Sequence, residues 1–260
     1  MNADPTRPNA ARIYDYFLGG EHNYPADQEA AKQLEQLAPE LPQAARLYRY
    51  FVQWASRELA QAGFACYLDF ASGLPTEGYI HELVPPTARI IYNDIDPETI
   101  AYAQEIVREY ANVWCILSDL RDTAALLAQA DRIFGGERRV GLCMVGISYF
   151  LTDDELAAVL RSLAAWAAPG SWLAINIATP TPQFAAIAER VRRFYAQIGT
   201  PIYTRTEADL LRLAPDWSSV APFQLIESYA EQGLGHLRLP LVPSEEVRGQ
   251  MGIGGLLKCR

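Results

Sequence analysis

Three aspartates stand at matching places along the chain. Asp69, Asp94 and Asp119 each lie at or just past the end of a short apolar run, where a loop opens. A carboxylate there accepts hydrogen bonds from hydroxyl and amine groups and counters a cation. The first run leads into Asp69-Phe70-Ala71-Ser72-Gly73-Leu74-Pro75-Thr76, whose small residues let backbone approach a ligand closely. The second ends in Asn93-Asp94-Ile95-Asp96-Pro97. Asp94 follows Gly73 by 21 residues, the spacing at which an acid accepts from ribose hydroxyls. The third ends in Ser118-Asp119-Leu120, where an acid is placed to accept from the exocyclic amine of adenine. A fourth ends in Gly146-Ile147-Ser148-Tyr149. Taken singly, Asp94 also reads as a turn residue before Pro97, and Asp119 as a helix N-cap. Taken together they outline an adenosine pocket, with Asp69, Ala71, Ser72, Gly73, Asp94, Ile95, Ser118, Asp119, Leu120 and Gly146 as its expected contacts.

The loop chemistry discriminates among adenosine ligands. A dinucleotide site wants glycines that admit a pyrophosphate. Here Ala71 replaces one glycine, Pro75 stands where another small residue would help, and Asp69 adds negative charge. S-adenosylmethionine has no phosphate and carries an ammonium and a sulfonium, which suit acidic surroundings. A nicotinamide-dependent oxidoreductase is the weaker alternative. Upstream, Tyr14, Tyr16, His22, Asn23 and Tyr24 form an aromatic-rich segment around the Gly19-Gly20 pair. With Tyr149 they are candidates to wall the cofactor or an acceptor, or to pack a cap onto the core. His22 reads as a general base or as a loop histidine at the surface. His81 reads as a helix residue and Arg192-Arg193 as a solvated face. No catalytic residue is singled out.

These residues need a scaffold. Residues 1–10 read as a flexible arm, and residues 27–37 and 43–62 as helices. Residues 1–63 therefore form an N-terminal arm and helical cap. From residue 64 to 260 the rhythm alternates. Strands are expected at 65–70, 88–93, 113–117, 140–145 and 172–177, with helices at 76–84, 97–110, 122–133 and 152–168 between them. Apolar strands with helical crossovers predict an α/β fold, a doubly wound and mostly parallel Rossmann-like sheet of seven strands. Helices at 184–198 and 207–213 follow. Strands at 224–229 and 254–259 then give the sheet an antiparallel end.

Composition narrows the function classes. The chain has 260 residues, half of them hydrophobic, so it can bury a sizeable core. Its net charge of −9 repels phosphate backbones and argues against nucleic acid as a partner. The four cysteines are far apart and there are three histidines, which gives no metal-ligand cluster. The cysteine pattern and the absence of an apolar leader predict a reducing, cytoplasmic setting. The longest apolar stretch is too short for a span of ~20 residues, so no membrane role is expected.

The Asp69-x-Ala71-x-Gly73 loop resembles motif I of class I S-adenosylmethionine-dependent methyltransferases, and Asp94 and Asp119 match the ribose and adenine acids of that superfamily. A narrower resemblance covers nearly the whole chain. Tyr14-Asp15-Tyr16-Phe17-Leu18-Gly19-Gly20, Asn23-Tyr24 and Asp27 are similar to the N-terminal signature of an actinomycete-type methyltransferase family formerly labelled a domain of unknown function. The strand-one loop, Asp119-Leu120-Arg121-Asp122 and Gly252-Ile253-Gly254-Gly255 are similar to that family as well. Gly occupies the position of Ala71 more often there, Arg is expected at Gly255, and a basic residue is frequent at Glu21. The resemblance implies S-adenosyl-L-methionine as cofactor and direct methyl transfer. Strand four lacks an Asn-Pro-Pro-Tyr run, which disfavours adenine or glutamine acceptors, and a small molecule is expected. A non-catalytic regulatory protein that binds S-adenosylmethionine or S-adenosylhomocysteine is the alternative.

Overall fold

The structure is a computed structural model that describes residues 4–76, 78–182, 185, 189–190, 192–193, 201–230 and 251–260. Three helices come first: α1 (Ala10–Leu18), α2 (Pro25–Leu37) and α3 (Leu41–Gln61). The Asn9 side chain caps α1 by accepting from the Ala11 and Arg12 amides. The helix stops at Gly19, whose φ of 79° is left-handed and suits glycine. The strand and helix alternation follows as β1 (Cys66–Phe70), α4 (Ile80–Leu83), β2 (Arg89–Asp94), α5 (Pro97–Ile106), β3 (Val113–Leu117), α6 (Thr123–Phe134) and β4 (Gly141–Met144). A 3-10 turn at Ser148–Phe150 leads to α7 (Asp153–Trp166) and β5 (Trp172–Ile177). The described tail holds α8 (Glu207–Leu213), β6 (Trp217–Ser219), β7 (Gln224–Leu225), α9 (Ile226–Ala230) and β8 (Ile253–Cys259).

The strands form one sheet in the order β3-β2-β1-β4-β5-β8-β6, with β7 also paired to β8. β1 to β5 are parallel, and β8 runs antiparallel to β5. The parallel part is buried on both faces because successive residues point opposite ways. Leu68, Ile91, Leu142 and Ile175 face α6 and α7, where they pack with Leu126, Phe134, Leu156 and Leu160. Tyr67, Ile90, Tyr92 and Cys143 face the other way and pack with Val52, Ala55 and Leu59 of α3. The long cap helix is thus one of the layers that sandwich the sheet. Strand order reverses between β1 and β4, and that crevice, past the carboxyl ends of the strands, is where open α/β sheets bind ligands.

The local readings differ from the structure in several places, among them α1, which was not expected, and the helix expected at 97–110, which ends at Ile106. The sheet has eight strands, because the edge strand β6 is only three residues long and carries little pattern. The expected strand at 224–229 keeps two strand residues before turning into α9. Ile226 and Tyr229 are three apart and both buried, which is helical spacing against Phe51 of α3. The expected helix at 76–84 shrinks to α4, since Gly78 has a left-handed φ of 70° and Tyr79 is extended. The arm is tied down over residues 4–9: the Asp4 amide donates to Glu98, and Asn9 Nδ2 donates to Asp96 at 2.6 Å. The helix expected at 184–198 falls largely outside the described residues.

Candidate functional site

A cavity of about 830 Å³ opens above the β1/β4 crevice, between the sheet and the N-terminal helices. Asp69 and Asp94 both line it, with Ala71, Ser72, Gly73, Ile95 and Gly146. Hydrogen bonds fix the two acid-bearing loops to each other. The Ser72 amide donates to the Asn93 carbonyl, and the Gly73 amide donates to Asp94 Oδ2 at 3.0 Å. The Asp96 amide donates to the other Asp94 oxygen at 3.0 Å. Asp94 therefore holds its carboxylate at the rim with an acceptor direction on each oxygen already in use. Burial pushes its pKa above the usual carboxylate value. Next to it, the Ile95 side chain is 58% exposed, an apolar face presented to the cavity.

Asp69 is buried, with 2% exposure. Burial pushes its carboxyl up to about 7, against the opposing pull of the Tyr79 hydroxyl and the Arg49 charge. The hydroxyl of Tyr79 lies 2.7 Å from Asp69 Oδ2 and 2.6 Å from the Ser72 carbonyl. One hydroxyl has one proton and cannot donate to both. Both contacts are satisfied when Asp69 is protonated, donates to Tyr79, and Tyr79 donates to Ser72. Geometry and burial thus both favour the protonated form of Asp69 in the ligand-free protein, with its carboxyl half ionised near pH 7. Ala71 closes this loop at φ 51°, a left-handed conformation that costs a residue with a Cβ roughly 1–2 kcal/mol.

Asp119 is placed differently. The backbone and guanidinium of Arg121 make four hydrogen bonds to its two oxygens, and these hold its pKa below the usual carboxylate value. The Ser118 hydroxyl donates to the Asp119 carbonyl, and Leu120 packs into the core. None of these three lines the cavity among the described residues.

Among the aromatic candidates, Tyr14 and Tyr149 line the cavity, and Tyr14 anchors its hydroxyl on the Ala45 carbonyl at 2.7 Å. Tyr16 packs beside Phe17. His22 meets Tyr102 edge-on, and Tyr24 shares a 3.3 Å contact with the Tyr102 hydroxyl. Asn23 Nδ2 donates to Asp15 and to the Gly20 carbonyl. The N-terminal signature is a folding knot around two buried carboxylates. Asp15 accepts from the His22 amide, and a Cβ at Gly20 would collide with the Asp15 carboxylate. Asp27 accepts from the amides of Asn9 and Tyr24 and from Arg12 Nε at 2.8 Å. His81 is packed, with a ring nitrogen 2.9 Å from the Tyr92 hydroxyl, and burial lowers its pKa to about 4.

Beyond Asp96, which stood in the second strand-end run without a role, sequence reasoning missed two charged lining residues. Arg49 of α3 is buried, with its guanidinium 4.2 Å from the Tyr79 ring centre, and is the positive charge facing Asp69. Glu40 precedes α3 between Pro39 and Pro42. No residue spacing marks either. No group of three or more metal-binding side chains is present among the described residues, and no helix there is long and apolar enough to cross a membrane.

An open sheet reversing between β1 and β4 and finished by an antiparallel strand is the fold of class I methyltransferases. Magnesium protoporphyrin IX methyltransferase from Synechocystis, solved with S-adenosylhomocysteine, shares it with a TM-score of 0.54 and 15% identity over 84% of each chain. The chain belongs to the S-adenosyl methyltransferase family, whose pattern matches residues 1–228. A candidate methyltransferase from Thermobifida fusca is 27% identical over 98% of this chain and 96% of its own, with a TM-score of 0.80. A DUF574 family protein from Streptomyces avermitilis is 28% identical over 97% and 98%, with a TM-score of 0.79. No protein of curated function matches the chain. The protein is an S-adenosylmethionine-dependent methyltransferase. At the position where the family resemblance leads one to expect Arg, this chain has Gly255, and the Phe223 ring occupies the space a Cβ would need there.

Proposed function

We propose that the cavity binds S-adenosylmethionine along its Asp69–Asp94 side and passes the methyl group directly to a small-molecule acceptor held in the remainder. The observation that carries this is the convergence of Asp69, Asp94, the Gly73 loop and Ile95 on one cavity. The residues fit the cofactor. The acceptor capacity left on Asp94 suits the ribose hydroxyls, and exposed Ile95 suits one face of adenine. Asp69 suits the amino group, and Arg49 suits the carboxylate of the methionine part. Adenine would reach Asp119 only if Arg121 gave up one of its hydrogen bonds. Among the described lining residues, a pyrophosphate would meet the acids Asp69 and Asp94 with only Arg49 to offset them, which disfavours a dinucleotide.

When bound, S-adenosylmethionine supplies a methyl carbon already activated by its sulfonium. The protein's part is then alignment and exclusion of water. Good alignment supplies roughly 7–11 kcal/mol in favourable cases. The helices α1 and α3 wall the cavity with Ile13, Tyr14, Tyr48 and Val52, so the reacting groups meet in a largely apolar space. The four free thiols fit a reducing, cytoplasmic setting. Calorimetry with S-adenosylhomocysteine tests the cofactor assignment through Asp94→Ala. Losing hydrogen bonds to a charged acceptor costs about 1.5–3 kcal/mol, or at least tenfold in affinity. Unchanged affinity in that variant would remove Asp94 from the site.

A further inference from the structure

At about 830 Å³ the cavity lies near the top of the roughly 300–1,000 Å³ range for one bound small molecule. It extends well beyond the acid-bearing loops, into a chamber walled by Phe17, Leu41, Ala44, Tyr48, Tyr149 and Phe150. Three of these rings form a run: Tyr48 and Tyr149 lie 6.3 Å apart, and Tyr149 and Phe150 lie 4.7 Å apart. One charged side chain stands among the apolar residues at this end. Glu40 is 8% exposed. Its Oε2 accepts from Arg190 at 2.8 Å, while its Oε1 is buried with no hydrogen-bond partner among the described residues. A buried carboxylate oxygen without a donor is costly and rare in a settled core.

We propose that this chamber is the acceptor subsite and that it takes a flat aromatic molecule bearing one neutral hydroxyl or amine, which donates to Glu40 Oε1. The inference rests on the cofactor placement above. Arg190 already supplies the countercharge of Glu40, so Oε1 lacks a donor and not a cation. An anionic ring would meet that oxygen head-on. A saturated chain would fill the space and leave Oε1 unpaired. The ring run of Tyr48, Tyr149 and Phe150 favours a planar partner in offset or edge-on contact. Glu40 acts here as a recognition group, and no proton transfer is assigned to it.

The test is calorimetry on protein saturated with S-adenosylhomocysteine, with 2-naphthol, 2-methoxynaphthalene and 2-naphthoate as probes. In the native protein 2-naphthol binds at least tenfold more tightly than either analogue. Glu40→Leu brings 2-naphthol and 2-methoxynaphthalene within twofold of each other. In Glu40→Gln, an isostere that keeps the fold if the leucine variant does not, the preference falls at least threefold. Equal binding of the two neutral probes to native protein overturns the proposal, as does absence of 2-naphthol binding or a preference untouched by both variants. Normal S-adenosylhomocysteine affinity alongside such a failure leaves the cofactor placement standing. Failure of S-adenosylhomocysteine to bind overturns both.

Discussion

Lowering the pH from 7 to 5.5 is expected to weaken S-adenosylhomocysteine binding about sixteenfold. Burial keeps the Asp69 carboxyl largely protonated below about pH 7 in the ligand-free protein, against the pull of the Tyr79 hydroxyl and the Arg49 charge. The ligand's ammonium is charged throughout this range and calls for the ionised carboxylate. If only ionised Asp69 binds it, affinity follows the ionised fraction, which is about 3% at pH 5.5 and about one half at pH 7. The same linkage requires that binding release protons, close to 0.9 per ligand at pH 6 by this order-of-magnitude argument. Calorimetry in two buffers of different ionisation enthalpy reads both quantities. Asp69→Asn preserves the Tyr79 contacts, because its amide donates to Tyr79 and Tyr79 still donates to Ser72. That variant should bind weakly with a flat pH profile. Native affinity that stays constant within twofold across this range, or binding that takes up protons, would refute the reasoning.

Other expectations follow from the same structure. Without ligand, the contribution of Asp69 to stability runs opposite to that of a salt-bridged acid. Its folded pKa is raised, so that stability is fully present below about pH 4, is lost as pH rises through about 7 and is level above; Asp69→Asn should flatten this slope in denaturant titrations. Ala71→Gly relieves about 1–2 kcal/mol of left-handed strain and gives back about 0.4–1 kcal/mol through the unfolded chain. A net gain of roughly 0.5–1 kcal/mol should raise Tm by about 1–4 °C, and a fall in Tm contradicts the strain assignment. Arg12→Met leaves Asp27 buried without its guanidinium and should cost about 3–5 kcal/mol. Arg12→Met combined with Asp27→Leu should recover part of that loss, whereas additive losses in thermal unfolding would deny the coupling. Gly20→Ala forces a Cβ into the Asp15 carboxylate and should destabilise by about 1–3 kcal/mol in the same assay.

The parallel sheet was legible because β1 to β5 are buried on both faces and so leave near-continuous apolar runs. Asp69 and Asp94 were legible because a strand end fixes where its next side chain must be. The short elements were not. A three-residue β6 has no periodicity to read, and Ile226 and Tyr229 reveal helical spacing only once α3 is there to receive them. Gly78 hid inside a helix-like stretch, since nothing in its neighbours announces a left-handed φ. Arg49 looked like any arginine on a helix, although the bend of the chain over the crevice turns it inward. Asp15 and Asp27 carried a recognisable signature whose physical content, a set of buried amide contacts, appears only in three dimensions.

Residues 4–9 and Arg260 lie at opposite edges of the sheet. Residues 4–9 run along the rim, where Asp4 and Asn9 hold the start of α5 and Asn9 lines the cavity. β8 runs against β5, and its pairing of Lys258 with Trp172 carries Arg260 to the edge where the parallel strands begin. A purification handle or fluorescent reporter attached just ahead of residue 4 would therefore sit on the side of the sheet that carries the cavity. The same handle attached behind Arg260 would stand at the opposite edge, away from the residues that line the cavity.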